Sequence, residues 1–290
     1  MKVLVTGGTG TVGSVVVRTL QGRAEISVLT RDPEKAKKLP PGVKAVVGNL
    51  LDPSTIRSAF KGYDSVFLLN AVSPTEAAEG LLAVNGIRDA GVRRVVYLSV
   101  HDAERAVHLP HFGSKVPVEM AIKASGMAYT ILRPNNFYQN DVWYRQALLD
   151  YGVYPQPMGN VGVSRVDLRD IAEVAVMGLT SSATDGKTIN LVGPEILTGN
   201  STAEIWSKAL GKPIKYAGDD LDGWERQNLS YGLAAVLAYD FRMMYHWFQT
   251  HGLKAGPQDV AQLTAVLGHS PRKYVDYVTE MARAWKDPGK

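Results

Sequence analysis

No cysteine occurs among the 290 residues, which excludes disulfide staples, thiol nucleophiles, iron–sulfur clusters and cysteine-ligated zinc. Charge of one sign is also scarce. Lys and Arg number 32 against 28 Asp and Glu, a net charge of +4, and the densest basic cluster is only Lys35, Lys37 and Lys38. No nucleic-acid footprint follows from so small an excess, so no nucleic-acid contact is expected. No apolar run approaches the ~20 residues that a membrane-spanning helix needs. The first residues enter an apolar segment, Val3 to Val5, and then a Gly-rich turn, so no secretion signal can be drawn and a cytoplasmic location is expected. What remains is ordinary globular composition, 45% hydrophobic and 21% charged, with 28 Gly and 15 Pro dispersed rather than clustered.

The first half alternates β-branched runs with helical patterns. The runs Lys2–Thr6, Glu25–Thr30, Lys44–Val47, Ser65–Leu69, Arg94–Ser99 and Ala128–Leu132 lack a polar face and read as buried parallel strands. Between them, Val12, Val15, Val16, Thr19 and Leu20 form one helical stripe. Ala77, Leu81, Val84 and Ile87 form the inner face of a helix from about Thr75 to Ala90. Strands alternating with crossover helices predict an α/β fold, a doubly wound parallel Rossmann sheet. The alternation breaks up after Asn135. Residues 1–150 are assigned to the sheet domain, with 163–192 returning to it, and 151–162 with 193–290 to a smaller, mostly helical cap. Within the cap, Ser201 and Glu204 predict a capping box, and one long helix is expected near Leu229–His251.

The most specific local signal is Val5-Thr6-Gly7-Gly8-Thr9-Gly10-Thr11-Val12-Gly13, set between the first strand and the first helix. Gly7 and Gly10 allow a tight turn whose amides can approach a pyrophosphate at the positive end of the helix dipole. Gly13 allows close helix–strand packing. The alternative is a Gly-rich turn without a ligand. About 17 residues after Gly13, where an NAD site presents a carboxylate to the ribose 2′-hydroxyl, stand Thr30 and Arg31. A guanidinium matches a 2′-phosphate, and Lys35 lies one turn further on, so NADP(H) is the expected cofactor. Asp32, before Pro33, reads as a helix cap.

Together with Thr30-Arg31-Asp32, Val47-Gly48-Asn49-Leu50, Ala90-Gly91-Val92, Tyr129 to Asn135, Val166-Asp167 with Asp170-Ile171-Ala172, and Pro271-Arg272, these residues resemble the NmrA-like branch of the atypical short-chain dehydrogenase/reductases. The resemblance runs over nearly the whole chain. It implies that Asn49 and Leu50 contact the adenine. Asn70 and Ala71 would lie along the ribose and phosphates, and Pro134, Asn135 and Asn136 would border the nicotinamide. Read alone, Asn70 and Asn135 are turn formers.

Ordinary members of the superfamily use Tyr-x-x-x-Lys, in which the lysine holds the nicotinamide ribose. This chain has His111-Phe112-Gly113-Ser114-Lys115. Four residues apart on one helix, His111 and Lys115 would share a face, and imidazole can donate a proton near neutral pH. Pro117, however, favours a helix that starts around Ser114, with His111 on the preceding loop. Lys115 therefore reads either as the ribose-holding lysine or as an exposed helix charge paired with Glu119. His111 reads as the proton donor or as an uninvolved loop residue, and Ser99, at a strand end, as a further polarising candidate. The resemblance implies an NADPH-dependent reductase passing hydride to a small planar acceptor such as a quinone, dye or conjugated carbonyl, acting as a monomer or homodimer. The competing reading is a redox sensor that binds NADP(H) without turnover.

Overall fold

Val-, Ile- and Leu-rich runs become the strands of a seven-stranded sheet in the computed structural model, which describes residues 1–286; the run Lys44–Val47, expected to be buried, is largely exposed because it forms the edge of the sheet. In chain order, β1 (Lys2–Thr6), α1 (Thr11–Leu20), β2 (Glu25–Thr30), α2 (Pro33–Ala36), β3 (Lys44–Val47), α3 (Pro53–Ser58), β4 (Ser65–Leu68), α4 (Glu76–Asp89), β5 (Arg94–Leu98), α5 (Pro110–Gly113), α6 (Lys115–Ala124) and β6 (Ala128–Pro134) alternate strand and helix. The remaining elements are a 3₁₀ helix (Tyr138–Tyr144), a π-helical turn (Ala147–Tyr151), β7 (Val153–Tyr154), α7 (Leu168–Thr180), β8 (Lys187–Leu191), α8 (Gly199–Leu210), β9 (Lys215–Tyr216), α9 (Leu221–Ser230), α10 (Ala235–Thr250), α11 (Pro257–Leu267) and α12 (Tyr274–Lys286). The sheet order is β3-β2-β1-β4-β5-β6-β8, and β1 to β6 pair in parallel. The order reverses between β1 and β4, the switch point at which open α/β sheets place their ligands. Among the described residues, no helix is long and apolar enough to cross a membrane.

The first unit comprises 1–134 and 169–190. Its core gathers Leu4, Leu29, Phe60, Val66, Leu68, Val84, Ile87, Val95, Tyr97, Val118 and Ile122 from strands and covering helices. The second unit comprises 135–168 and the described residues from Leu191 onward. It therefore begins at Asn135 rather than at 151, and it includes 163–168. The reason is local. Asn135 N–H donates to Leu191 O (2.9 Å), Tyr138 N–H to Val166 O (3.0 Å) and Val166 N–H to Asn136 O (2.9 Å), tying this stretch to its own unit.

In the second unit Tyr138, Tyr154, Trp206, Tyr274 and Tyr277 pack with Leu148, Met158 and Leu197, and Trp206 stacks on Trp285 at 4.8 Å. The helix boundaries correct the sequence reading in two places. The box that opens α8 is Thr198 with Ser201, whose side chains each accept the other's backbone N–H, and not Ser201 with Glu204. The long helix expected near Leu229–His251 is two helices, α9 and α10, separated at Gly232, whose φ of +88° only glycine adopts without strain. Tyr138, Tyr245 and Phe248 are buried, whereas Trp143 is 71% exposed.

Candidate functional site

At the end of β1 the chain turns at Gly7, whose φ is +65°, and Gly10 N–H closes the turn on Gly7 O at 2.9 Å. A Cβ on Gly7 would stand 2.2 Å from Leu69 Cδ2, and one on Gly13 would stand 2.2 Å from Gly7 O. Gly13 is closed to any side chain because the loop backbone lies against it, whereas at Gly7 the left-handed φ and the Leu69 side chain after β4 together favour glycine. Thr6 Oγ1 donates to Leu69 O (2.8 Å) and accepts from Leu69 N–H (2.7 Å), fixing the loop against the end of β4. Gly10 is the N-cap of α1 and offers no side-chain acceptor, so the first-turn amides of Thr11, Val12 and Gly13 are not capped by their own chain. Thr9 lies in the loop, Thr11 is exposed and Val12 is buried in the core.

The end of β2 leads to Arg31, whose side chain is 60% exposed and whose nearest carboxylate is Glu79 at 4.0 Å. Asp32 is turned away to cap α2, accepting from the N–H of Glu34 (2.9 Å) and Lys35 (3.4 Å), and the Lys35 side chain, four residues after Arg31, is exposed. Arg31 borders a cleft of about 400 Å³ whose walls include Gly48, Asn49, Asp52, Ser54 and Thr55. Asn49 Oδ1 accepts from Leu51 N–H (3.0 Å), leaving the Nδ2 amide as its donor toward a ligand, while Leu50 is buried. Across the switch point, at the end of β4, Asn70 is only 6% exposed and both of its side-chain amide atoms lack a partner, and Ala71 beside it is exposed. A buried amide with no bond loses its hydration without compensation, an arrangement that a ligand relieves.

The proposed catalytic segment divides as Pro117 requires. α6 starts at Lys115, with Pro117 in its first turn, so His111 and Lys115 occupy separate helices. His111 is not on a loop. It lies on the single turn α5, is 9% exposed, and meets the Phe112 ring edge-on at 4.8 Å. Lys115 is not an exposed charge paired with Glu119. Its side chain is 9% exposed and its Nζ is ion-paired with Glu76, whose side chain is fully buried. Glu119 instead bonds Arg133, with Nε at 2.9 Å, and accepts from Ser99 Oγ, so Ser99 is engaged on the interior side of β5.

Sequence reasoning missed Glu76, Glu79 and Tyr97. Glu76, Gly80, Ala83 and Ile87 recur at helical spacing on the buried face of α4, and this stripe was the available signal. Burial first, then the charges of Glu76 and Glu119, pushes the Tyr97 phenol well above its ordinary value, and its OH has no partner. In the second unit, the residues expected at the nicotinamide are bonded internally. Asn135 Nδ2 donates to Leu253 O (2.7 Å), its Oδ1 accepts from Asn136 N–H (2.8 Å), and Asn136 Oδ1 accepts from Arg165 Nε (3.0 Å). Pro134 closes β6.

Residues 1–266 match the NmrA-like family. Over 287 residues the chain is 31% identical to the NAD(P)H azoreductase of Xenophilus azovorans, covering 98% of this chain and 99% of that protein. Its structure is similar to that of the NADPH-dependent quinone oxidoreductase of Escherichia coli complexed with NADPH, with a TM-score of 0.85 at 23% identity over 96% of this chain and 99% of that one. The triphenylmethane reductase of Citrobacter sp. complexed with NADP(H) gives a TM-score of 0.84 at 22% identity, over 97% and 100% of the two chains. At these identities the structural likenesses are likenesses of fold.

Proposed function

Because the chain belongs to the NmrA-like family, we propose that it is an NADPH-dependent reductase acting on a small planar acceptor of the quinone or dye type. The observation that carries this reading is the pairing, at the switch point, of a glycine cradle with the unpartnered, buried Asn70 amide. Those residues fit a nicotinamide dinucleotide. The Gly7–Gly13 loop and the uncapped amides of α1 suit its pyrophosphate. Arg31 and Lys35 suit a 2′-phosphate, Asn49 with Leu50 the adenine, and Asn70 with Ala71 the ribose and phosphates. Lys115 suits the nicotinamide-side ribose. When bound, the reduced nicotinamide supplies hydride to the acceptor.

The chain's own part is to bind, to orient and to exclude water. The cradle donates backbone N–H groups to phosphate oxygens, and Arg31 selects the phosphorylated ribose by a charge-assisted, bidentate contact. His111 or solvent returns the proton that the reduced acceptor requires. The second unit has a cleft of about 540 Å³ whose walls mix Pro155, Pro157 and Trp224 with the polar Asp220, Arg226 and Gln227, and the Trp224 ring there is a surface on which an aromatic molecule could pack. The names borne by relatives, an azoreductase, a quinone oxidoreductase and a triphenylmethane reductase, support the class of acceptor.

One observation favours a second reading, a sensor that binds NADP(H) without turnover. The position of the superfamily's tyrosine is held by His111, and Lys115 is engaged by Glu76. A single experiment separates the two. NADPH absorbance is followed with a panel of quinones, azo dyes, triphenylmethane dyes and enals. The reductase reading expects oxidation with at least one class, whereas tight NADPH binding with no acceptor reduced would leave the sensor.

A further inference from the structure

We propose that Glu76 is the positioning residue for Lys115, holding its ammonium where α4 and α6 meet so that it faces the cofactor ribose. The proposal rests on the reductase reading only for what Lys115 touches. The geometry itself lies within the first unit. Gly80, one turn beyond Glu76 on α4, has no room for a side chain, because a Cβ there would stand 2.6 Å from Val118 Cγ2 on α6 and 3.5 Å from Asn70 Oδ1. Val118 lies three residues beyond Lys115. The missing side chain thus lets α4 and α6 close together, bringing Glu76, Lys115 and Asn70 to one place.

A simple staple between two helices would have its polar atoms satisfied, since each one left bare in the interior loses its hydration without compensation. Here Glu76 Oε2, both amide atoms of Asn70 and the Tyr97 OH are all buried without partners. The carboxylate grips the lysine with one oxygen and leaves the other without a partner. Lys115, on a flexible stem of four carbons, would otherwise sample many rotamers, and the buried carboxylate selects among them.

The test uses Glu76→Gln, Glu76→Asp and Lys115→Met, singly and combined, with three readouts: calorimetric affinity for NADP⁺ without acceptor, kcat and KM, and the rate at which an amine reagent labels Lys115 in the ligand-free protein, followed by mass spectrometry. Glu76→Gln is expected to weaken NADP⁺ binding and kcat/KM by about tenfold, the worth of one charge-assisted bond. In the Lys115→Met background the same change is expected to cost less than about twofold, because its target is gone. Glu76→Asp keeps the charge on an arm one carbon shorter and recovers only part of the loss. Lys115 labelling rises with Glu76→Gln while that of Lys123 stays constant.

An equal loss in both backgrounds, or an unchanged Lys115 labelling rate, overturns the proposal. If the unmodified chain binds no NADP(H), the reductase reading fails, and the labelling rate alone then decides whether Glu76 holds Lys115. Should Glu76→Gln not fold, Glu76→Asp carries the same comparison, with a smaller rise in labelling expected and none overturning the proposal.

Discussion

Both units bury an ion pair, and they treat it in opposite ways. In the second unit Arg165 and Asp141 are fully buried, and the bonds around them saturate the pair. Arg165 donates to Asp141 (2.8 Å), Phe137 O (2.6 Å), Asn136 (3.0 Å) and the Tyr154 OH (3.2 Å). Asp141 accepts also from Tyr154 (3.1 Å), Trp206 Nε1 (3.0 Å) and the Tyr274 OH. Burial alone would lower the Arg165 guanidinium, but the charge and bond of Asp141 outweigh it and hold it well above its ordinary value. In the first unit the Glu76–Lys115 pair stands among unpaired atoms. A saturated network fixes a fold, whereas an unsaturated one is poised for something else to complete it.

The largest effect expected from this contrast is at Asp141. Asp141→Ala strands a buried guanidinium and should destabilise the second unit by about 3–5 kcal/mol, read by chemical denaturation. An effect under about 1 kcal/mol would show that the saturated network is dispensable. At Asn70 the two readouts should separate. Since its amide is unpaired in the ligand-free chain, Asn70→Ala should leave stability unchanged or raise it, while weakening NADPH binding about fivefold, near 1 kcal/mol. Loss of stability without loss of affinity would reverse the assignment.

The smallest effect concerns Asp52, the cap of α3, whose pKa is lowered from 3.8 to about 2, first by the Ser54 hydroxyl and then by the N–H of Ser54 and the Thr55 hydroxyl. A carboxylate lowered on folding stabilises above its unfolded value and loses that contribution as pH falls through the folded one. The stability difference between the unmodified chain and Asp52→Asn should therefore be constant above about pH 5 and shrink between about pH 4 and pH 2. A difference that persists unchanged at pH 2 would exclude the cap as its source.

The glycine cradle was legible in the sequence because backbone geometry alone dictates it. Gly7 turns the chain at a φ of +65° and Gly13 lies against the loop backbone, so their spacing between a strand and a helix carries the structure with it. Asp32 as a cap and the start of α6 ahead of Pro117 were legible for the same local reason. Glu76 was not, because its partner is 39 residues away on another helix. The bond from the Asn135 amide to Leu253 O was hidden likewise, because its partner is 118 residues distant and read alone Asn135 is a turn former. The break between α9 and α10 was marked by Gly232 but masked by apolar residues on both sides.

The unpartnered buried polar atoms of the first unit are the groups that NADP(H) would complete. Calorimetric titration of the chain with NADPH and with NADH, without acceptor, tests this most directly. NADPH is predicted to bind at least about tenfold more tightly than NADH, with Arg31→Ala removing most of the difference, as expected for a charge-assisted contact to the 2′-phosphate. No heat with either nucleotide, or equal affinity for both, would contradict it.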